Sequence, residues 1–186
     1  IGEQAFYEQR DPSNKNTLTS VTIGNSVTTI GKYAFGRNTE LTSVTIGNGV
    51  TTIEPNAFSY TGLTSVTIPA NVTTLAGYAF SQSNLTYVAF LGDFGDFKSS
   101  IFRYNPDLAT ICTAAGASGW DEKSFDISLR DDPEKKLLET TTCNFAPECS
   151  DESIDWTTAA TEEGWSCTVD GTEYEYADFH ILTTDG

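Results

Sequence analysis

Apolar and polar positions in the first half of the chain follow one phrase of 22–23 residues, written three times. It reads LTSVTIGNSVTTIGKYAFGRNTE from Leu18, LTSVTIGNGVTTIEPNAFSYTG from Leu41 and LTSVTIPANVTTLAGYAFSQSN from Leu63. A weakened copy starts at Leu85 and a further strand phrase at Leu108. Within LTSVTI, the two-residue period of a strand puts Val21 and Ile23 on one face and Ser20 and Thr22 on the other. The same split gives Val44/Ile46 against Ser43/Thr45, and Val66/Ile68 against Ser65/Thr67. A second short apolar pair follows in each copy: Val27/Ile30, Val50/Ile53 and Val72/Leu75. Gly24-Asn25, Gly47-Asn48 and Pro69-Ala70 stand between the two strand phrases and suit turns. Each copy then presents Ala-Phe (Ala34-Phe35, Ala57-Phe58, Ala79-Phe80), which predicts a column of stacked phenylalanines beside a tight turn.

A period of this length marks a solenoid, in which each copy buries its apolar residues only against its neighbours. Six or so apolar side chains per copy contribute roughly 1.5–3 kcal/mol each before entropy is charged, so several copies must cooperate. The β-branched, Thr-rich composition favours strands over long helices. The expected fold is mainly β: a solenoid with one parallel strand per repeat, the strands forming one sheet, with short second strands and turns.

The phrase L-T-S-V-T-I-x-x-x-V-T-x-I-x-x-x-A-F closely resembles the BspA-like leucine-rich repeats, over about residues 1–120. LATICTAAGASGW (Leu108–Trp120) is similar to the closing phrase of many such arrays. Two departures stand out. Residues 91–103 replace the second strand phrase with Phe94 and Phe97, and the stretch from Phe6 to Leu18 is long enough for an inserted surface loop. The resemblance implies a non-enzymatic binding or adhesion module at a cell surface or outside the cell. The implied partner is a protein or glycan. Self-association into a filament or surface layer is the alternative, and an enzyme whose catalytic part lies outside these residues is a third class.

The period ends near Ser124. FDISL (Phe125–Leu129) alternates well enough to add a capping strand, so the expected domains are a solenoid over 1–129 and an acidic module over 130–186, joined by RDDPEKK. Alternation at Tyr174, Tyr176 and Phe179 suggests a strand after a turn at Asp170-Gly171. The opening IGEQAF matches IGKYAF and IEPNAF, so the chain starts inside a repeat. It is expected to be a fragment or processed form, with any targeting segment upstream.

Charge changes this picture only in the second half. The chain carries a net charge of −16, of which residues 1–120 hold −2 and residues 121–186 hold −14. An acidic tail is a poor nucleic-acid surface, and no run is long enough for membrane insertion. Solubility is the plain reading of the acid excess. Weak calcium binding is a sharper one, but no EF-hand-type loop supports it.

Candidate chemistry is sparse. Cys112, Cys143, Cys149 and Cys167 show no CxxC spacing for zinc, and their even number suggests two disulfides of open connectivity. Cys112 stands at the position of Thr22, Thr45 and Thr67, so its side chain is expected to point outward. The single histidine, His180, has no partner in the sequence that would make a nucleophilic pair. No catalytic residue, cofactor or metal is expected. Asn71 and Asn84 open N-x-T sequons and are candidate glycosylation sites. The expected ligand face is the outward strand column Ser20, Thr22, Ser43, Thr45, Ser65, Thr67 and Tyr87. Thr28/Thr29, Thr51/Thr52 and Thr73/Thr74 form a second row, and Tyr104 and Trp120 add aromatic surface. Threonine also simply suits an exposed strand, and a flat array ordering water is a further, weaker reading.

Overall fold

A computed structural model describes residues 1–7, 17–128, 137–143, 166–169 and 172–175 of the 186. The chain divides into two compact units, Ile1–Thr142 and Cys143–Gly186. The inserted loop expected between Phe6 and Leu18, the RDDPEKK connector, and Cys149, Tyr176, Phe179 and His180 lie outside the described residues.

The first unit is a β-solenoid. Its LTSVTI phrases form β1 (Ser20–Ile23), β3 (Ser43–Ile46) and β5 (Ser65–Ile68). The degraded copies supply β7 (Tyr87–Phe90) and β9 (Thr110–Ala114). Pairing is parallel and in repeat register, with Thr22 opposite Thr45, Thr67 opposite Ala89, and Ala89 opposite Cys112. One strand per repeat is therefore present, but the single sheet is not. The ladder is interrupted between β3 and β5, leaving a β1-β3 pair and a four-stranded sheet in the order β12-β9-β7-β5. The strand β12 (Thr141–Cys143) adds to the far edge of β9.

The second phrases make a sheet of their own: β2 (Thr29–Ile30), β4 (Thr52–Ile53), β6 (Thr74–Leu75) and β8 (Asp96–Phe97), all parallel. Residues 91–103, where Phe94 and Phe97 replace the second strand phrase, keep this strand, with Phe97 opposite Leu75. An aromatic ring fills the inward place that Ile30, Ile53 and Leu75 hold in the other copies, and Phe97 is buried like them.

The third side of each coil has no strand, yet its backbone is just as regular. Phe35 donates its N–H to Ala57 O at 2.8 Å, Phe58 to Ala79 O at 2.7 Å and Phe80 to Ile101 O at 3.1 Å. Two residues before or after each phenylalanine, Tyr33, Arg37, Tyr60, Tyr78 and Gln82 also donate to the next coil. These five hold positive φ, from 54° to 68°. The left-handed conformation turns their N–H groups along the solenoid axis, where the neighbouring carbonyls wait.

Between the three sides lies the core. Phe35, Phe58 and Phe80 stack with centroids 5.1 Å apart and rings within 7° of parallel, Phe102 continues the column at 6.1 Å, and the exposed Phe6 stacks on Phe35 at its other end. Ala34, Ala57 and Ala79 are fully buried beside them. Close approach in the turns is equally strict: a Cβ on Gly49 would stand 1.8 Å from Asn25 O. At the far end Phe90, Phe94, Phe97 and Trp120 form one aromatic cluster, and Trp120 Nε1 donates to Gly92 O at 2.9 Å.

FDISL closes the column differently from the expected capping strand. Phe125 packs on Phe90 and Phe102, Asp126 N donates to Ser99 O, and Tyr104 N donates to Ser128 O. The segment thus caps the turn side. Its strand, β10 (Ser124–Asp126), pairs antiparallel with β11 (Leu137–Glu139) and not with the repeat strands. In the second unit, β13 (Ser166–Val169) and β14 (Thr172–Glu175) pair antiparallel, with Cys167 opposite Tyr174; the turn expected at Asp170-Gly171 lies outside the described residues.

Candidate binding surface

The strand face is the first candidate, and it is not uniform along the solenoid. Ser20, Thr22, Ser43 and Thr45 are exposed, with Ser20 opposite Ser43 and Thr22 opposite Thr45. Adjacent strands bring such pairs to about 4.8 Å. Ser65 and Thr67 are only partly exposed. Tyr87 is partly buried, and its hydroxyl oxygen is closed off from solvent without a hydrogen-bond partner. Burial raises its pKa above the ordinary tyrosine value. Tyr87 therefore does not stand out as a solvent-facing anchor. The face ends in Ala89 and Cys112, which are 0% and 2% exposed.

Cys112 thus occupies the expected outward register but is buried. It lies on β9, which has strand neighbours on both edges, β7 and β12. No free thiol occurs among the described cysteines. Trp120 also departs from expectation, since its ring is core rather than contact surface.

The second threonine row is structural in part. Thr51 Oγ1 donates to Thr28 O at 3.2 Å and Thr73 Oγ1 to Thr51 O at 3.4 Å. Thr42 and Thr86 do the same with Thr19 O and Thr64 O. These hydroxyls tie each coil to the previous one, which leaves the Ser20–Thr45 group as the hydroxyl array directed at solvent. Both sequon asparagines are exposed, and Asn71 Nδ2 donates to Asn48 O at 2.7 Å.

A set of buried polar residues three positions after each core phenylalanine went unread in the sequence. Asn38 Nδ2 donates to Phe6 O and Phe35 O, both at 2.8 Å, and Asn105 Nδ2 repeats this with Phe80 O and Phe102 O. Between them Thr61 Oγ1 donates to Phe58 O at 3.0 Å and accepts from Ser83 Oγ at 2.9 Å. Each satisfies carbonyls that the Ala-Phe turn would otherwise bury unpaired. The available signal was a polar residue at one fixed offset from every phenylalanine.

The turn side carries a different chemistry from the strand face. Tyr7, Tyr33, Tyr60, Tyr78 and Tyr104 all lie within two positions of a core phenylalanine, as do Arg37 and Arg103. The Arg37 guanidinium carbon sits 6.0 Å from the Tyr7 ring centroid and 5.3 Å from that of Tyr60. Further along, Arg103 lies over Tyr104 at 5.1 Å, donates to Tyr78 Oη at 3.4 Å and faces Asp126 at 3.6 Å. The hydrogen bond to Tyr78 raises the Arg103 pKa further. On the turn between the two strand sides, Asp93 accepts a 2.7 Å hydrogen bond from Ser118 N, which holds its carboxyl below the usual aspartate value.

Among the described residues no group of three or more His, Cys, Asp or Glu converges to hold a metal ion. No described helix is long and apolar enough to cross a membrane. A family model described as the BspA type leucine rich repeat region matches residues 1–129 in six copies. No curated protein and no solved structure matches the chain.

Proposed function

The chain belongs to the BspA-type leucine-rich-repeat family, and from that premise we propose a non-enzymatic adhesion or binding module that works outside the cell or at a cell surface. Repeats of this kind supply a scaffold for interactions, and their stacked strands offer a continuous face. The observation that carries the reading is the exposed, uncharged hydroxyl array of Ser20, Thr22, Ser43 and Thr45 on two registered strands. Hydroxyls donate and accept hydrogen bonds without a net charge, which suits a glycan or a polar protein surface better than a polyanion. Ser65 and Thr67 extend the face with less exposure.

The test is binding of the labelled chain to a glycan array and to an array of extracellular proteins, repeated with Thr22→Arg/Thr45→Arg. Both positions face solvent, so the melting temperature should hold while binding falls by about tenfold or more, as at the centre of an interface. No binding on either array, or equal binding by the double variant, would count against this face.

Assembly into a filament or surface layer is the competing reading. A concentration series by light scattering separates the two, because a structural protein grows with concentration and a binding module stays at constant mass.

A further inference from the structure

We propose that the turn side around Arg37 is a second contact surface, separate from the strand face, and that it takes a carboxylate-bearing segment of a protein partner. Arg37 is the anchor. Its guanidinium lies between the rings of Tyr7 and Tyr60, while Tyr7 meets Tyr33 edge-on at 5.7 Å and 72°. Lys32 Nζ stands 5.6 Å from the Tyr33 centroid. Two cations and three tyrosines thus share one patch on consecutive coils.

The other cations on this side have carboxylate partners. Lys98 pairs with Asp96 at 2.6 Å, and Arg103 faces Asp126. Among the described residues neither Arg37 nor Lys32 pairs with a carboxylate through its side chain. The nearby acid Glu54 accepts the Lys32 backbone N–H at 2.8 Å instead. Arg37 therefore keeps its fork of N–H donors while two aromatic rings hold the guanidinium in place. A planar donor pair held in advance matches a carboxylate bidentately and loses little freedom on binding.

Backbone cost points the same way. Arg37, Tyr33 and Tyr60 hold φ of 68°, 56° and 59°. A residue with a side chain takes this region at a cost, and glycine or asparagine would take it more easily. The chain places tyrosine and arginine there, the residue types enriched at the energetic centres of protein interfaces. A polyanion such as nucleic acid fits poorly, because this patch offers two cations against a chain of net charge −16. One or two carboxylates on an otherwise uncharged segment meet the cations without that long-range repulsion.

The experiment pans a random dodecapeptide display library on the immobilised 186-residue chain, then measures the enriched peptides by calorimetry. Peptides enriched in Asp or Glu should bind the parent chain, and Arg37→Gln should weaken them by about tenfold or more. Arg37→Lys should weaken them nearly as much, since lysine keeps the charge but loses the fork. Thr22→Arg/Thr45→Arg should leave peptide binding unchanged, so failure of the strand-face reading and failure of this one are told apart. Should Arg37→Gln melt early, Arg37→Asn replaces it, because asparagine tolerates the positive φ. No acidic enrichment, or the same affinity for a folded Arg37 variant, overturns the proposal.

Discussion

At the scale of single residues, the phenylalanine column carries the most energy per position. Phe58 is fully buried and stacks on Phe35 and Phe80 at 5.1 Å on both sides. Removing it opens a cavity between two coils that cannot close, because the backbone hydrogen bonds at Phe58 N and the turn carbonyls fix their separation. Phe58→Ala should cost about 3–5 kcal/mol, the range for large-to-small core changes of an aromatic. Denaturant unfolding measures it, and a cost under about 1 kcal/mol would mean that the column is not a principal source of stability. The polar plugs work by the opposite logic. Asn105 contributes little area, but it pairs two carbonyls that burial would otherwise leave unsatisfied.

At the scale of elements, coils join their neighbours through the short strands and the left-handed turns, and, except between β3 and β5, through the long strands. Side chains in the corners add to these ladders. Asn25 Oδ1 accepts Asn48 N at 2.9 Å, and Asp93 Oδ1 accepts Ser118 N at 2.7 Å near the end of the array. The Asp93 bond favours the ionised carboxylate, so its folded pKa lies below its unfolded one. A depressed acid pKa contributes stability above the unfolded value, and that contribution disappears as pH falls through the folded value. A carboxyl titration followed by NMR should therefore place Asp93 below the ordinary aspartate midpoint. In Ser118→Pro, which removes the donor N–H, the midpoint should rise toward ordinary. An ordinary midpoint in the parent chain would deny the bond a role.

At the scale of the whole molecule, the two faces divide the chemistry between them. The strand face offers hydroxyls without charge, while the turn side offers tyrosines and two cations. The acidic charge is concentrated beyond residue 120. Covalent organisation belongs to this scale as well. Cys112 is buried at the strand position next to β12, and it is not a free thiol. Non-reducing peptide mapping should therefore recover Cys112 in a cross-linked peptide with Cys143, Cys149 or Cys167. Alkylation of Cys112 in the folded chain without reductant would show instead that the second half is joined to the repeats only through the backbone.

The sequence by itself determined the repeat, its strand positions and its inward residues. Alternation at Val21/Ile23 and its equivalents, with Ala-Phe at a fixed offset, is a local pattern that only one stacked arrangement can bury. Candidate strand-face residues followed from the same period, because outward positions are the complement of inward ones. Only the tertiary structure decided which of those positions are open. Tyr87, Ala89 and Cys112 share the outward column with Thr22 and Thr45 but lose their exposure, and burial depends on neighbours the local phrase does not encode. The same holds for Phe97, which keeps the second strand despite a broken phrase because one inward ring replaces an aliphatic residue. The turn side was hidden for a related reason. Tyr7, Arg37 and Tyr60 lie on successive coils, more than 20 residues apart in sequence, and only the stacking of those coils, locked by left-handed N–H groups, brings the two rings onto the guanidinium.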